Sequence, residues 1–214
     1  MESAYTRQVF INCPFDDHYK SLFEAIVFAV SDCGFRPRCA LEIDDGSQIR
    51  IEKIFNIISG CKFGIHDISK TELDDSNHLP RFNMPLELGL FLGAKRYGEG
   101  EQREKVCLIL DRESFRYQKF ISDIAGQDIR PHEEDPRTAI TIVRNWLRNS
   151  FPSISLPGGE LIANRYEVFR SEMPSACGPL GLSIGQLTFI DYTWLVSAWL
   201  KQNPLTPNLG SDKI

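Results

Sequence analysis

Short apolar runs alternate along most of the chain with longer segments in which apolar residues recur every three or four positions. The short runs are typical of buried strands, and the three- and four-residue spacing is typical of helices that bury one face. We expect five strands, at residues 8–12, 35–41, 61–66, 106–110 and 128–130. We expect helices at residues 19–31 and 48–59, around Glu87, and from Pro136 onward.

Strands that alternate with helices are joined by right-handed crossovers and form a parallel sheet with helices on both faces. The pattern therefore predicts an α/β fold, a flavodoxin-like doubly wound domain with a five-stranded parallel sheet. Such sheets bind ligands outside the carboxyl ends of their strands, near the point where the strand order reverses. We expect a ligand site at that edge.

The pattern changes near residue 150, where a Pro- and Ser-rich stretch at 151–159 is typical of a linker. Two further helices are expected, at residues 160–172 and 184–202. We assign residues 1–150 to the α/β domain and residues 151–214 to the linker and a C-terminal helical extension. The last helix is too apolar to stand alone in water. It is expected to pack on its own core, on a second copy or on a partner protein.

Composition narrows the classes of function. The net charge is −5 and no block of Lys and Arg occurs, which excludes a general nucleic-acid surface. No apolar signal core or membrane-length apolar run is present, so we expect a soluble, cytoplasmic protein without membrane contact. The six cysteines show neither a CxxC pair nor a metal-ligand spacing with the histidines. We expect buried free thiols and no metal.

Glu87 is the only charged residue in the apolar segment 82–94. A carboxylate removed from water needs a compensating partner or a functional role, so Glu87 is the first candidate for catalysis. Asn83 is expected to cap the start of this helix. Gly89 and Gly93, four residues apart, are expected to leave one face without bulk, so that the helix can lie flat on the sheet. The alternative is a structural, ion-paired glutamate.

The loop after the first strand lacks the glycine patterns of common dinucleotide and triphosphate sites. Asn12 and Asp16 are candidates for hydrogen bonds to a ribose, and Phe15 for stacking on a ring. Pro14 makes this loop rigid. The alternative is an Asx-type turn with no ligand.

Three more polar candidates follow the third and fourth strands. Asp67 and Ser69 come directly after the third strand, and Asp111 ends the fourth, so all three are expected at the ligand edge of the sheet. Together with Asn83, they are candidates for substrate binding. The alternative for the aspartates is a structural role in turns or helix caps.

The segment from Arg81 to Gly93 contains the order Asn83-x-x-x-Glu87-Leu88-Gly89. It resembles the corresponding helix of bacterial TIR-like predicted nucleotide-binding domains and is similar to the Glu-Leu-Gly helix of nucleoside 2-deoxyribosyltransferases. The resemblance covers roughly residues 8–150. Deoxyribosyltransferases carry an aspartate where this chain has Arg81, so the TIR-like group fits better.

The resemblance implies that Glu87 acts at the anomeric carbon of a ribose. It implies an NAD-cleaving enzyme, or a related nucleotide N-glycosidase, of bacterial antiviral defence. NAD or another nucleotide would be the substrate, no cofactor would be needed, and a homo-oligomer or a partner protein would assemble through the C-terminal helices. Two alternatives stay open: a nucleoside or nucleotide deoxyribosyltransferase or hydrolase, and a non-catalytic nucleotide sensor that engages a partner.

Overall fold

A computed structural model describes residues 4–73, 78–152 and 155–205. Parts of the expected linker and extension, residues 153–154 and 206–214, lie outside these ranges. The sheet has five parallel strands in the order β2-β1-β3-β4-β5. The strands are β1 (Gln8–Asn12), β2 (Arg36–Arg38), β3 (Phe63–Asp67), β4 (Val106–Asp111) and β5 (Ile129–Pro131). The flavodoxin-like doubly wound fold expected from the sequence is confirmed.

Helices cover both faces of the sheet, as the side chains of β1 illustrate. Val9 and Ile11 lie in one core with the helices on one face, and Phe10 lies in a second core with those on the other. The first face carries α1 (Lys20–Asp32) and α4 (Pro136–Ser150), and the second carries α2 (Arg50–Ser59) and α3 (Asn83–Tyr97). This alternation is what the two-residue period of a strand produces when both faces are buried.

The C-terminal extension packs on the chain's own core. It consists of α5 (Gly159–Cys177) and α6 (Phe189–Gln202). Phe28 of α1 stacks on Phe169 of α5, with ring centroids 5.4 Å apart, and lies 5.8 Å from the Trp199 ring of α6. Of the three expected positions for the apolar last helix, the structure shows packing on this chain, while Ile190 and Trp194 remain exposed on its outer side.

Several element ends differ from the expected bounds. The second strand is limited to three residues, α5 continues past Pro174 to Cys177, and α6 begins five residues later than expected. The start of α6 is set by a capping box, in which the Thr188 hydroxyl and the Asp191 carboxylate each accept a hydrogen bond from the other residue's backbone N–H. Residues 184–186 form a separate 3₁₀ turn.

The expected role of the glycines in α3 is wrong. Among the described residues, nothing outside the helix backbone lies within 4 Å of a Cβ placed on Gly89 or Gly93, so neither glycine lies against the sheet. The close approach occurs at Gly64 of β3, where a Cβ would lie 2.7 Å from the Phe91 ring of α3 and 2.8 Å from Nε2 of His66. The strand, rather than the helix, supplies the glycine that lets these elements meet.

All six cysteines are free thiols, and five of them are buried. None of the helices in the described ranges combines the length and the apolar character that a membrane span requires.

The close approach of Gly64 to the Phe91 ring gives a stability prediction. Gly64→Ala is expected to destabilise the protein by about 1–3 kcal/mol, because the added methyl group overlaps the Phe91 ring. Gly89→Ala is the matched control and is expected to stabilise it by about 0.5–1 kcal/mol, because alanine is the better helix former and meets open space. Urea unfolding measures both. Equal effects of the two substitutions would contradict the packing described.

Candidate functional site

The reversal of strand order lies between β1 and β3, which are neighbours in the sheet with Asn12 opposite His66. A cavity of about 250 Å³ opens at the carboxyl ends of these two strands, and we call it the site cavity. Five residues proposed from the sequence line it: Asn12, Pro14, Phe15, Asn83 and Glu87. The position agrees with the general rule for ligand sites in open parallel sheets.

Asn12 fixes the start of α3 beside the sheet. Its carboxamide Nδ2 donates a hydrogen bond of 2.9 Å to the backbone oxygen of Met84 and lies 3.1 Å from Nδ1 of His66. Burial lowers the pKa of His66 to about 3, so the ring is neutral and Nδ1 can accept this hydrogen bond. Asn12 therefore joins the ends of two strands to the first turn of the helix that carries Glu87.

Asn83 does not cap α3, which corrects the expectation from the sequence. The residue before the helix is Phe82, and no side chain provides a capping hydrogen bond there. Asn83 is instead the first helical residue, and it lines the site cavity with an exposed side chain. The carboxamide is therefore accessible to a ligand.

Glu87 lies one turn further along α3 and is 6% exposed. Desolvation raises the pKa of its carboxyl group to about 7, and Arg50 is the opposing charge that limits the rise. No hydrogen bond from the described part of the chain stabilises the carboxylate. A buried acid without a bonded partner, at the wall of a cavity, is the arrangement expected of a functional group rather than of a structural ion pair.

Cationic side chains surround the mouth of the site cavity. Arg50, Lys70 and Arg81 all line it, and Lys70 is ion-paired with Asp16. An adjoining groove of about 570 Å³ shares Lys70 and Arg81 with the cavity. The groove also contains Ser69 and Asp16, so these two candidates lie next to the Glu87 cavity rather than in its wall.

Asp67 is fully buried and lines neither the site cavity nor the groove. Its carboxylate accepts hydrogen bonds from the Tyr19 hydroxyl at 2.6 Å and from the Ser69 backbone N–H at 2.8 Å. Nε2 of His132 lies 2.9 Å from the same carboxylate, and the Glu134 backbone N–H donates to Nδ1 of that ring. Asp67 thus connects the segments that follow β1, β3 and β5.

Asp111 is also fully buried and lines neither the site cavity nor the groove. Its Oδ1 accepts two hydrogen bonds from Arg116, at 2.8 and 2.6 Å. The same guanidinium donates to the backbone oxygens of Ile68 and Ser69 at 3.0 and 2.6 Å. Asp111 therefore holds the arginine that fixes the loop after β3.

Sequence reasoning missed several residues that form the site. Arg50 and Leu41 line the cavity but come from the second strand–helix unit, far from every motif in the sequence. Lys70 belongs to the segment after β3 that the strand-end rule already predicts at the ligand edge, although the sequence assigns it no specific role. His132 has no sequence signal, because its role depends on Asp67, which is 65 positions earlier in the chain.

Comparisons of the chain with protein-family models, with curated proteins and with solved structures give no significant match. Within the described ranges, no group of three or more His, Cys, Asp or Glu side chains is arranged to hold a metal ion.

The buried acid predicts a pH-dependent stability. Between pH 4.5 and about 7, the native protein keeps the Glu87 proton while the unfolded chain releases it, so wild type loses stability as the pH rises through this window. Glutamine does not titrate. The difference in stability between Glu87→Gln and wild type is therefore expected to change in favour of the variant as the pH rises through this window, by up to about 3 kcal/mol.

Urea unfolding at pH 5 and pH 8 measures the difference. The matched control is Glu52→Gln, which removes an exposed carboxylate from the first turn of α2. A difference between Glu87→Gln and wild type that is the same at both pH values would show that Glu87 is not a desolvated acid.

Proposed function

We propose that this protein is a nucleotide N-glycosidase of the NAD-cleaving type, with Glu87 as its catalytic carboxylate. The observation that carries the proposal is a buried acid without a bonded partner, at the wall of a cavity beside the point where the strand order reverses. The resemblance of the Asn83 to Gly89 segment to TIR-like domains supports the same role.

The chemistry requires little more than such a carboxylate. When an N-glycosidic bond breaks, the bonding electron pair leaves with the base nitrogen and positive charge develops on the ribose ring. A carboxylate beside the anomeric carbon stabilises that charge, and its effect is larger where water is excluded. The nicotinamide of NAD is already cationic and leaves as a neutral molecule without protonation. Water then adds to the anomeric carbon and releases a proton.

The ionisation state of Glu87 suits this role. A pKa of about 7 leaves an appreciable fraction of the free protein ionised at neutral pH. A cationic substrate ring near the carboxylate would lower the pKa and increase the ionised fraction on binding. Substrate binding would thus itself favour the reactive form of the acid.

Size and charge support a nucleotide rather than a free nucleoside. The site cavity, at about 250 Å³, is below the usual range of pockets for drug-sized ligands and suits a ribose with part of its base. The adjoining groove, at about 570 Å³, offers room for the rest of the substrate. Lys70 and Arg81 line both spaces and Arg50 lines the site cavity, whereas Asp16, Glu72 and Glu134 line the groove. Phosphates would therefore bind at the boundary between the two spaces, where the cations lie.

The other predicted residues have distinct roles in this proposal. Asn83 and Phe15 contact the substrate from the cavity wall, while Asn12 positions α3. Asp67 and Asp111 position the loops around the groove without touching the substrate. The exposed Ile190 and Trp194 of α6 form a surface for a second copy or a partner. The resemblance extends the proposal to antiviral defence.

The test is release of nicotinamide from NAD, followed by mass spectrometry of a nucleotide mixture. Concentrated protein with crowding agents is used so that any assembly can form. Glu87→Gln is expected to lower the rate at least about a hundredfold, because the charge that stabilises the transition state is lost. Glu52→Gln, which removes a carboxylate outside the cavity, is expected to act like wild type.

Equal nicotinamide release by wild type and Glu87→Gln would contradict the role of Glu87. Free base released from deoxynucleotides, with NAD intact, would instead select the deoxyribosyltransferase or hydrolase. Ligand-induced thermal stabilisation without turnover, unchanged in Glu87→Gln, would select the nucleotide sensor.

A further inference from the structure

A second cavity lies where the loop after β1 meets the C-terminal extension. It measures about 200 Å³, and we call it the junction cavity. Pro14 and Phe15 of the β1 loop line one side, and Leu187 and Phe189 at the start of α6 line the other. Neither the fold class nor the proposed chemistry at Glu87 requires this space.

The junction cavity contains a buried acid. Glu24 of α1 lines the cavity and is only 8% exposed. Burial raises the pKa of its carboxyl group, against the opposing charges of Lys20 and Arg170, and no hydrogen bond from the described residues contributes. The nearby Tyr192 hydroxyl donates to the backbone oxygen of Glu24 instead, at 2.9 Å. Most of the Glu24 side chain is out of water, and a donor on a ligand in the cavity would compensate for that loss of hydration.

Aromatic rings form much of the cavity wall. Phe23 lies between two other phenylalanines, with its ring centroid 5.3 Å from that of Phe15 and 6.0 Å from that of Phe189. Phe15 and Phe23 meet edge to face, and aromatic walls of this kind suit a flat ligand that stacks on a ring or meets its edge. Asp16, Asp17 and Lys20 also line the cavity, but Glu24 is the carboxylate that is buried among the aromatic rings. Aromatic walls beside a buried acceptor favour an aromatic ligand that carries a donor.

We propose that the junction cavity binds a planar heteroaromatic ring with an exocyclic amine, such as an aminopurine, and that Glu24 accepts the hydrogen bond from that amine. A volume of about 200 Å³ is below that of pockets for drug-sized ligands and suits a single ring system. A ring without the amine leaves the Glu24 acceptor unpaired, which is the kind of mismatch that proteins reject strongly.

The junction cavity and the site cavity share Pro14, Phe15 and Leu41, so the β1 loop forms a wall of both. The ring has two possible sources: the base of the nucleotide whose ribose lies at Glu87, or a separate ligand that acts through the shared loop. The binding claim itself does not depend on turnover at Glu87.

The test compares 9-methyladenine with 9-methylpurine, which differ only in the exocyclic amine. Isothermal titration on the full chain is expected to show at least about tenfold tighter binding of 9-methyladenine to wild type. Glu24→Met, which removes the acceptor, is expected to abolish that preference. Glu24→Gln keeps an acceptor and is expected to retain it. Asp17→Asn, a carboxylate change at an exposed residue of the same cavity, is the matched control.

Leu187→Trp tests whether the ring binds in the junction cavity, and it leaves the Glu24 acceptor unchanged. Leu187 is partly buried at the cavity wall, and a larger side chain there fills the space, so binding of 9-methyladenine is expected to be lost. Absence of binding to wild type, an unchanged preference in Glu24→Met, or unchanged binding in Leu187→Trp would each overturn the proposal.

Kinetics identify the source of the ring. If the ring belongs to the cleaved nucleotide, Glu24→Met raises KM with little change in kcat, and 9-methyladenine inhibits competitively. If it belongs to a separate ligand, KM is unchanged in Glu24→Met and 9-methyladenine does not compete. A protein that binds 9-methyladenine through Glu24 but cleaves no nucleotide would refute the proposed function and leave this inference intact.

Discussion

The carboxamide of Asn12 provides the contact on which the geometry of the candidate site depends. It stands at the carboxyl end of β1, donates to the backbone oxygen of Met84 in the first turn of α3, and lies within hydrogen-bond distance of His66 in β3. Glu87 follows Met84 by three positions and therefore lies on the same face of α3. The contact between Phe91 and Gly64 brings that face close to the sheet. A glutamate carried there is removed from water without receiving a bonded partner.

The fold could be predicted from the sequence because the pattern of apolar residues that indicates it is local. Apolar runs such as that of β4 alternate with helical spacing, and the rules for crossovers leave few other arrangements. Element ends depend on contacts that the local pattern does not contain. The helix α5 continues beyond Pro174 because Met173 and Cys177 are buried against the rest of the core, and α6 starts where Thr188 and Asp191 cap each other.

Part of the candidate site could also be predicted from the sequence. Glu87, Asn83 and the β1 loop come together because parallel strands place their carboxyl ends at one edge. The direction in which the strand-end aspartates point could not be predicted. Asp67 and Asp111 turn inward because the Tyr19 hydroxyl and the Arg116 guanidinium offer them donors, and a single sequence contains no signal for those pairings across the fold. For the same reason, no local sequence pattern predicts that Arg50 and Glu87 line the same cavity.

The central claim is that the Glu87 carboxyl group is a desolvated acid at the wall of a ligand cavity. NMR titration of side-chain carboxyl carbons in ¹³C-labelled protein tests this most directly, with the Glu87 signal assigned by its absence in Glu87→Gln. We expect a pKa of about 7 for this one resonance. A midpoint near the ordinary glutamate value of about 4.3 would show a solvated or paired carboxylate and would contradict it.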